Sequence, residues 1–509
     1  MVGVKSSLTE PKAGLTTYDA VAIIVGIIIG SSIYKAPPDV FVSAGGDWQA
    51  LLVWALVGLL SLVGALCYAE LATAYPTAGG DYTYISRSFG SGFGFFFAWA
   101  ELAIIRTGGS IAIMAYVFAQ YADTFLASAG LSLLSPGENN RPPTTTGIPL
   151  GAYAVLAILT LTLVNALGIR PGKWTQNILT LVKVLGLGGV VVAGVVAYYT
   201  IAPQEVPAVE PAERLPFQTL ALAMVFVFYA YGGWNEAAYV ASEMRGNRRS
   251  IAWALILGTG LVTLIYVAVN LAYLMGLGYA AATRSEAIAS DLLAVPLGTA
   301  GSQAMAVLVM ISALGAINGL LFTGVRLYRT FGNDHRLFRF LGRENSRGVA
   351  INSLAAQTIF SLAIVALIET VAFWKPQLGQ LLQSLGIDLG FEYSASKPGF
   401  DTLVIATAPV FWLFFTLTGI AYFVLRDSDA GRERPFKLTH PWYPLLPLAF
   451  LGSSLFMLQR SLDYALMQKP AEAIVVGFVL MLGIPLYFIS GRPDTTHAQE
   501  VSMTDQVGG

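Results

Sequence analysis

Twelve apolar stretches follow one another along the chain, each near the roughly 20 helical residues needed to cross a bilayer core about 30 Å thick. They cover residues 18–44, 48–74, 91–119, 149–168, 176–200, 217–243, 250–276, 302–328, 351–372, 402–425, 443–463 and 471–490. Two of them are interrupted at mid-depth. The first carries Gly26, Gly30, Ser31 and Ser32, then Pro37 and Pro38. The sixth runs through FVFYAYGGWNEAAYVASEM, Phe226 to Met244, with Tyr231, Gly232 and Gly233 in its middle. Broken backbone is tolerated in lipid only where neighbouring protein or a water-filled cavity satisfies the freed peptide groups. Close helix packing at small residues explains either break alone; two breaks at corresponding places in two halves mark a binding site at a repeat interface.

The pattern predicts an all-α polytopic membrane protein with two inverted repeats of five helices, helices 1 and 6 broken, and two helices appended. The predicted units are an N-terminal segment 1–17, a first repeat 18–200, a second repeat 217–425, the last two helices 443–490 and a tail 491–509. Composition agrees: the 509 residues are 55% hydrophobic and 12% charged, with a mean hydropathy of +0.65, too apolar for a soluble core. The first apolar run starts only after Lys5, Lys12 and Tyr18 and has no small-residue cleavage site behind it, which argues against a cleaved signal peptide.

Charge sets the expected orientation. Of the 29 Lys and Arg residues, nineteen fall on the side of the termini, seven on the other, and Lys35, Arg106 and Lys183 inside spans. Positive loops stay cytoplasmic, so both termini are expected inside, in a cytoplasmic (inner) cell membrane. The basic loop Arg326 to Arg347 belongs to this asymmetry, and no nucleic-acid partner is implied. The single cysteine, Cys67, lies within the second span, so no internal disulfide forms. His335, His440 and His497 have no metal-ligand spacing, and neither a metal nor a cofactor is expected.

An unwound helix exposes N–H groups at the start of the next half-helix, which suit a carboxylate, and carbonyls at the end of the previous one, which suit an ammonium. An α-amino acid zwitterion meets both needs. The N–H groups around Ser31, Ser32 and Ile33, with the Ser31 hydroxyl, are the expected carboxylate site. Carbonyls of Ile27 and Ile28 and those near Tyr229 to Tyr231 are the expected amino site.

Six blocks in order resemble the L-type amino acid transporter family of the amino acid, polyamine and organocation superfamily: VGIIIGSSIY, CYAELATAYPTAGGDYTYI, VKVLGL, FYAYGGWN, AINGLLFTGVRLY and LRDSDAGRERPFKL. The likeness runs from about Gly14 to Tyr487. It implies a leucine-transporter-like fold, neutral amino acids held at the two breaks, and alternating access. Gly30, Ser31 and Ser32 match the family's carboxylate-binding string, and Tyr229 stands where a gating aromatic is found. Gly233, Trp234 and Asn235 match the stretch beside the substrate side chain, while Asn318 matches an asparagine of the eighth span. Ser32, where glycine is commoner, and Lys35, where an apolar residue is usual, depart from the pattern. Animal relatives bond a heavy subunit through a cysteine in the outer loop; residues 122–149 contain none, so no disulfide-linked heavy chain is expected.

Three charges inside spans carry the remaining expectations. An unpaired ammonium at mid-depth costs about 3 kcal/mol on insertion scales; a lysine snorkelling to the surface is the alternative for Lys183. By the resemblance, Lys183 stands in for a bound sodium ion and reaches the broken first helix, implying sodium-independent transport, with proton coupling left open. Glu236 is either a proton carrier or the partner of Arg106. Glu101 and Arg106, five apart, fall on different faces of an α-helix and are not expected to meet. Glu70, Glu243 and Asp81 are read as loop anchors, and Leu378, Leu381, Leu382 and Leu385 as a short surface helix. A membrane enzyme lacks any visible nucleophile, base or metal cluster. An amine or polyamine transporter and an amino-acid-sensing receptor on the same fold stay open beside an exchanger or proton symporter.

Overall fold

A computed structural model describes residues 14–131, 146–200, 217–384, 400–468 and 470–490. Among them nine helices are long and apolar enough to cross a membrane. Added to the broken first and sixth spans and the helix Leu150–Ala166, these make up the twelve expected crossings. Apolar side chains such as Leu156, Leu163, Leu185, Leu264 and Phe488 stand exposed on the outer helices, where lipid replaces a protein core. This is a multi-pass membrane protein.

The first span is built around its break. Thr16 and Asp19 form a reciprocal cap, with Asp19 N–H donating to Thr16 Oγ1 at 3.2 Å and Thr16 N–H donating to Asp19 Oδ2 at 2.8 Å. The helix Thr17–Ile28 then stops. Gly30 N–H turns back to the Ile28 carbonyl at 2.7 Å, and winding resumes over Ser32–Lys35 and Pro37–Ala44. Pro37 and Pro38 fall in the opening turn of the last piece, where a missing N–H costs little.

The sixth span runs as an α-helix over Phe217–Ala230 and breaks at Tyr231, Gly232 and Gly233. It continues as a ten-residue 3₁₀ helix, Trp234–Glu243. Gly233 has φ +110°, a conformation side chains rarely adopt, and a Cβ there would lie 2.7 Å from Ile27 Cγ2. The two interruptions therefore face each other in contact.

Elsewhere the helices run longer than the apolar pattern suggests. The ninth spans Ile351–Ser384, so Leu378, Leu381 and Leu382 extend it instead of forming a separate surface helix; Leu385 lies outside the described residues. The third, Ser91 to Ser128, contains two π-helical stretches, Glu101–Ile105 and Thr107–Ala112. Connecting helices Asp81–Phe89, Tyr279–Ala282 and Ile288–Leu297 were not apparent from the pattern. Glu70 does tie a loop, accepting from Tyr422, Arg426 and the Leu438 N–H, whereas Glu243 pairs with Arg326, within the eighth-span helix, at 2.8 Å.

Candidate functional site

Between the breaks lies a cavity of about 1100 Å³, counting its mouth. Ile27, Ile28, Gly30 and Ser32 of the first span face Tyr229, Gly232, Gly233, Asn235 and Glu236 of the sixth across it. Ile105, Met114, Leu320, Phe411, Trp412 and Phe415 give it largely apolar walls.

Five sequence-predicted site residues stand off this wall. Ser31 is fully buried with its hydroxyl unpartnered, so Ser32 is the serine that reaches the cavity. Ile33 packs in the core. Tyr231 turns away, its hydroxyl donating to the Trp54 carbonyl at 3.2 Å. Asn318 braces three spans from outside the cavity, donating to Gly172 O at 3.1 Å and Gln176 Oε1 at 2.8 Å and accepting from Asn165 at 2.9 Å.

Lys183, the fifth, approaches the break from behind. Its ammonium donates to Gly26 O at 2.6 Å and Ile29 O at 2.9 Å, carbonyls at the end of the unwound half-helix. It is fully buried and does not snorkel. The rest of the fifth span holds the same half-helix. Lys173 and Asn177 donate to Asp19 at 3.1 and 2.8 Å, and Thr180 donates to Ala22 O at 2.8 Å. At steps of three and four residues these side chains share one helix face.

The expected amino-group carbonyls are partly engaged. The Tyr266 hydroxyl lies 2.9 Å from Ile28 O and 3.2 Å from Ala230 O, and Gly232 N–H donates to Tyr229 O at 3.1 Å. Among the described residues, Ile27 O accepts no bond from beyond its helix.

Toward the Asp81 end of the cavity, Arg106 makes a two-pronged pair with Glu236, both bonds 3.0 Å, and a third bond of 3.0 Å from Nε to Glu101. Thr323 adds a 2.5 Å bond to Glu236. The Glu101 contact reverses the sequence expectation. In a π turn the N–H of Arg106 bonds the carbonyl of Glu101, here at 3.0 Å, so residues five apart come into line. Asp81 is no loop anchor either. Buried on the cavity wall, it accepts from Tyr68, from Thr418 at 2.8 Å, Tyr239 at 2.9 Å and Asn235 at 3.1 Å.

A family model described as amino acid permease matches residues 15–490. The chain belongs to that family. It is 26% identical to the b(0,+)-type amino acid transporter 1 of Mus musculus, over 97% of this chain and 93% of the relative. It is 29% identical to the large neutral amino acids transporter small subunit 2 of Homo sapiens, over 92% and 79% respectively. These relatives agree with the L-type resemblance.

In this permease the residues missed from sequence, Tyr266, Asp81 and Glu101, act through partners hundreds of positions away or through a non-α helical register. Only Glu101 left a signal, as a carboxyl within a span.

Proposed function

We propose that this amino acid permease carries neutral amino acids by alternating access without sodium, exchanging one for another or importing with protons. The observation that carries the reading is the Lys183 ammonium on the Gly26 and Ile29 carbonyls, 2.6 and 2.9 Å away. Unwound carbonyls of this kind coordinate the coupling cation in sodium-driven transporters, and here a side chain fills that role. The zwitterion would lie between the breaks. Its carboxylate would meet the peptide N–H groups and hydroxyl around Ser32, its amino group would meet Ile27 O, and its side chain the walls of Ile105, Met114 and Phe411.

The apolar character of those walls supports a neutral side chain. The repeats 18–200 and 217–425 would rock about the paired breaks in a cytoplasmic membrane, with both termini inside. One relative's name marks it as a small subunit; the lone buried Cys67 argues against a disulfide-linked heavy chain here.

Uptake of radiolabelled amino acids into proteoliposomes tests the reading. Equal uptake in sodium and choline media is expected, and a strict sodium requirement overturns it. Competition by diamines in place of neutral amino acids would make an amine the cargo.

A further inference from the structure

Arg106 is shared unequally. Glu236 takes two of its bonds and one from Thr323, whereas Glu101 takes a single bond at Nε. Glu101 Oε1 accepts no hydrogen bond among the described residues, and the side chain lies on the cavity wall. Two carboxylates and one guanidinium leave one negative charge at membrane depth, where uncompensated charge is costly. Adding one proton balances the group. Asp81, the third acid on the wall, has four neutral donors of its own and makes no call on Arg106.

We propose that Glu101 is the proton carrier of this permease, coupling net amino acid import to a proton gradient; the proposal rests on the transport reading above. With the cavity facing outward, Glu101 takes a proton from the outer medium and the network becomes neutral. With the cavity facing inward, it gives the proton to the cytoplasm and resumes its bond to Arg106. Glu236 stays ionised and fixes the guanidinium throughout.

Glu101 shares the cavity wall with Arg106 and with Glu236, which stands three residues past the second break. The π turn is a second, independent sign. Such turns are rare and concentrate at functional sites, and this one brings Glu101 to Arg106.

The groups facing Glu101 are Arg106 of its own span, Glu236 and Tyr239 of the sixth, Tyr328 of the eighth, and Asp81. The preceding helix Ser91–Ala100 has no ionisable residue. The ninth, tenth and twelfth spans also pack on this stretch. Of their ionisable residues, Glu369 lies mid-helix and accepts from Tyr116 at 2.9 Å, while Lys375, Asp401, Arg426, Asp427 and Glu472 lie nearer helix ends.

The full chain is reconstituted with lumenal pyranine and given L-leucine, L-alanine and L-glutamine in turn under an inward proton gradient. Substrate-dependent lumenal acidification is expected, with Glu101→Gln lowering the ratio of proton-driven uptake to counterflow at least tenfold. An unchanged ratio in that variant overturns the proposal. Counterflow without acidification in the unaltered protein overturns it too while leaving the transport reading intact; absence of both overturns the two together. Should Glu101→Gln fail to fold, Glu101→Asp replaces it. A shifted pH midpoint of net uptake supports the assignment, and an unmoved midpoint defeats it.

Discussion

The hydroxyl of Tyr266 lies 2.9 Å from the carbonyl oxygen of Ile28 and so clasps the first break from the seventh span, with Ala230 O of the second break 3.2 Å from the same atom. One buried side chain thereby fixes the spacing of two interruptions. Tyr266→Phe leaves the ring packed but removes the hydroxyl. A loss of about 1–3 kcal/mol is expected from the orphaned carbonyls, read as a lower midpoint of thermal unfolding in detergent, together with a several-fold rise in the KM for uptake.

Lys183→Met removes the ammonium and strands the Gly26 and Ile29 carbonyls in an apolar setting. Uptake should fall at least tenfold. Room for the lysine depends on Gly315, where a Cβ would lie 2.7 Å from Lys183 Nζ, so Gly315→Ala should reproduce part of the defect in the same assay.

Gly233→Ala combines an unfavourable φ of +110° with a 2.7 Å approach to Ile27 Cγ2. Transport should be nearly abolished. Removing that Cγ2 in Gly233→Ala/Ile27→Ala should restore little, since the backbone strain remains; counterflow of the double variant checks this.

Arg106→Met leaves Glu101 and Glu236 buried without their cation. Breaking a buried pair in this way costs about 3–5 kcal/mol, and the variant should lose its monodisperse peak in size-exclusion chromatography.

His335 caps the eighth span at its C-terminal end, buried, with neither ring nitrogen bonded. Burial lowers its pKa from 6.5 to about 4. The unfolded chain therefore binds the proton first, and the folded state loses stability as pH falls from about 6.5 to about 4. The unfolding temperature should drop across that window, and His335→Phe should flatten this part of the profile.

Much of this is legible because lipid punishes unsatisfied backbone, so Gly30, Ser31 and Ser32 at mid-span, echoed by Gly232 and Gly233, announce two breaks in the sequence itself. The buried Lys183 was equally visible as a charge with no business in an apolar run. What stayed hidden depended on register and distance. Helical periodicity assumes 3.6 residues per turn, and the third span departs from it at Glu101, turning an excluded contact into a 3.0 Å one. Ser31 and Ser32 are adjacent, and only the geometry of the turn decides which hydroxyl meets the cavity. Asp81 takes its meaning from Thr418, 337 positions later, which no local pattern reveals.

The 3₁₀ half of the sixth span, Trp234–Glu243, can also shorten. Ten residues wound with three per turn rise about 2.0 Å each, whereas an α-helix of the same residues rises about 1.5 Å each. Slackening that coil would retract the rod by about 5 Å and swivel Asn235, Glu236 and Tyr239 progressively around its axis, a piston stroke available without any hinge.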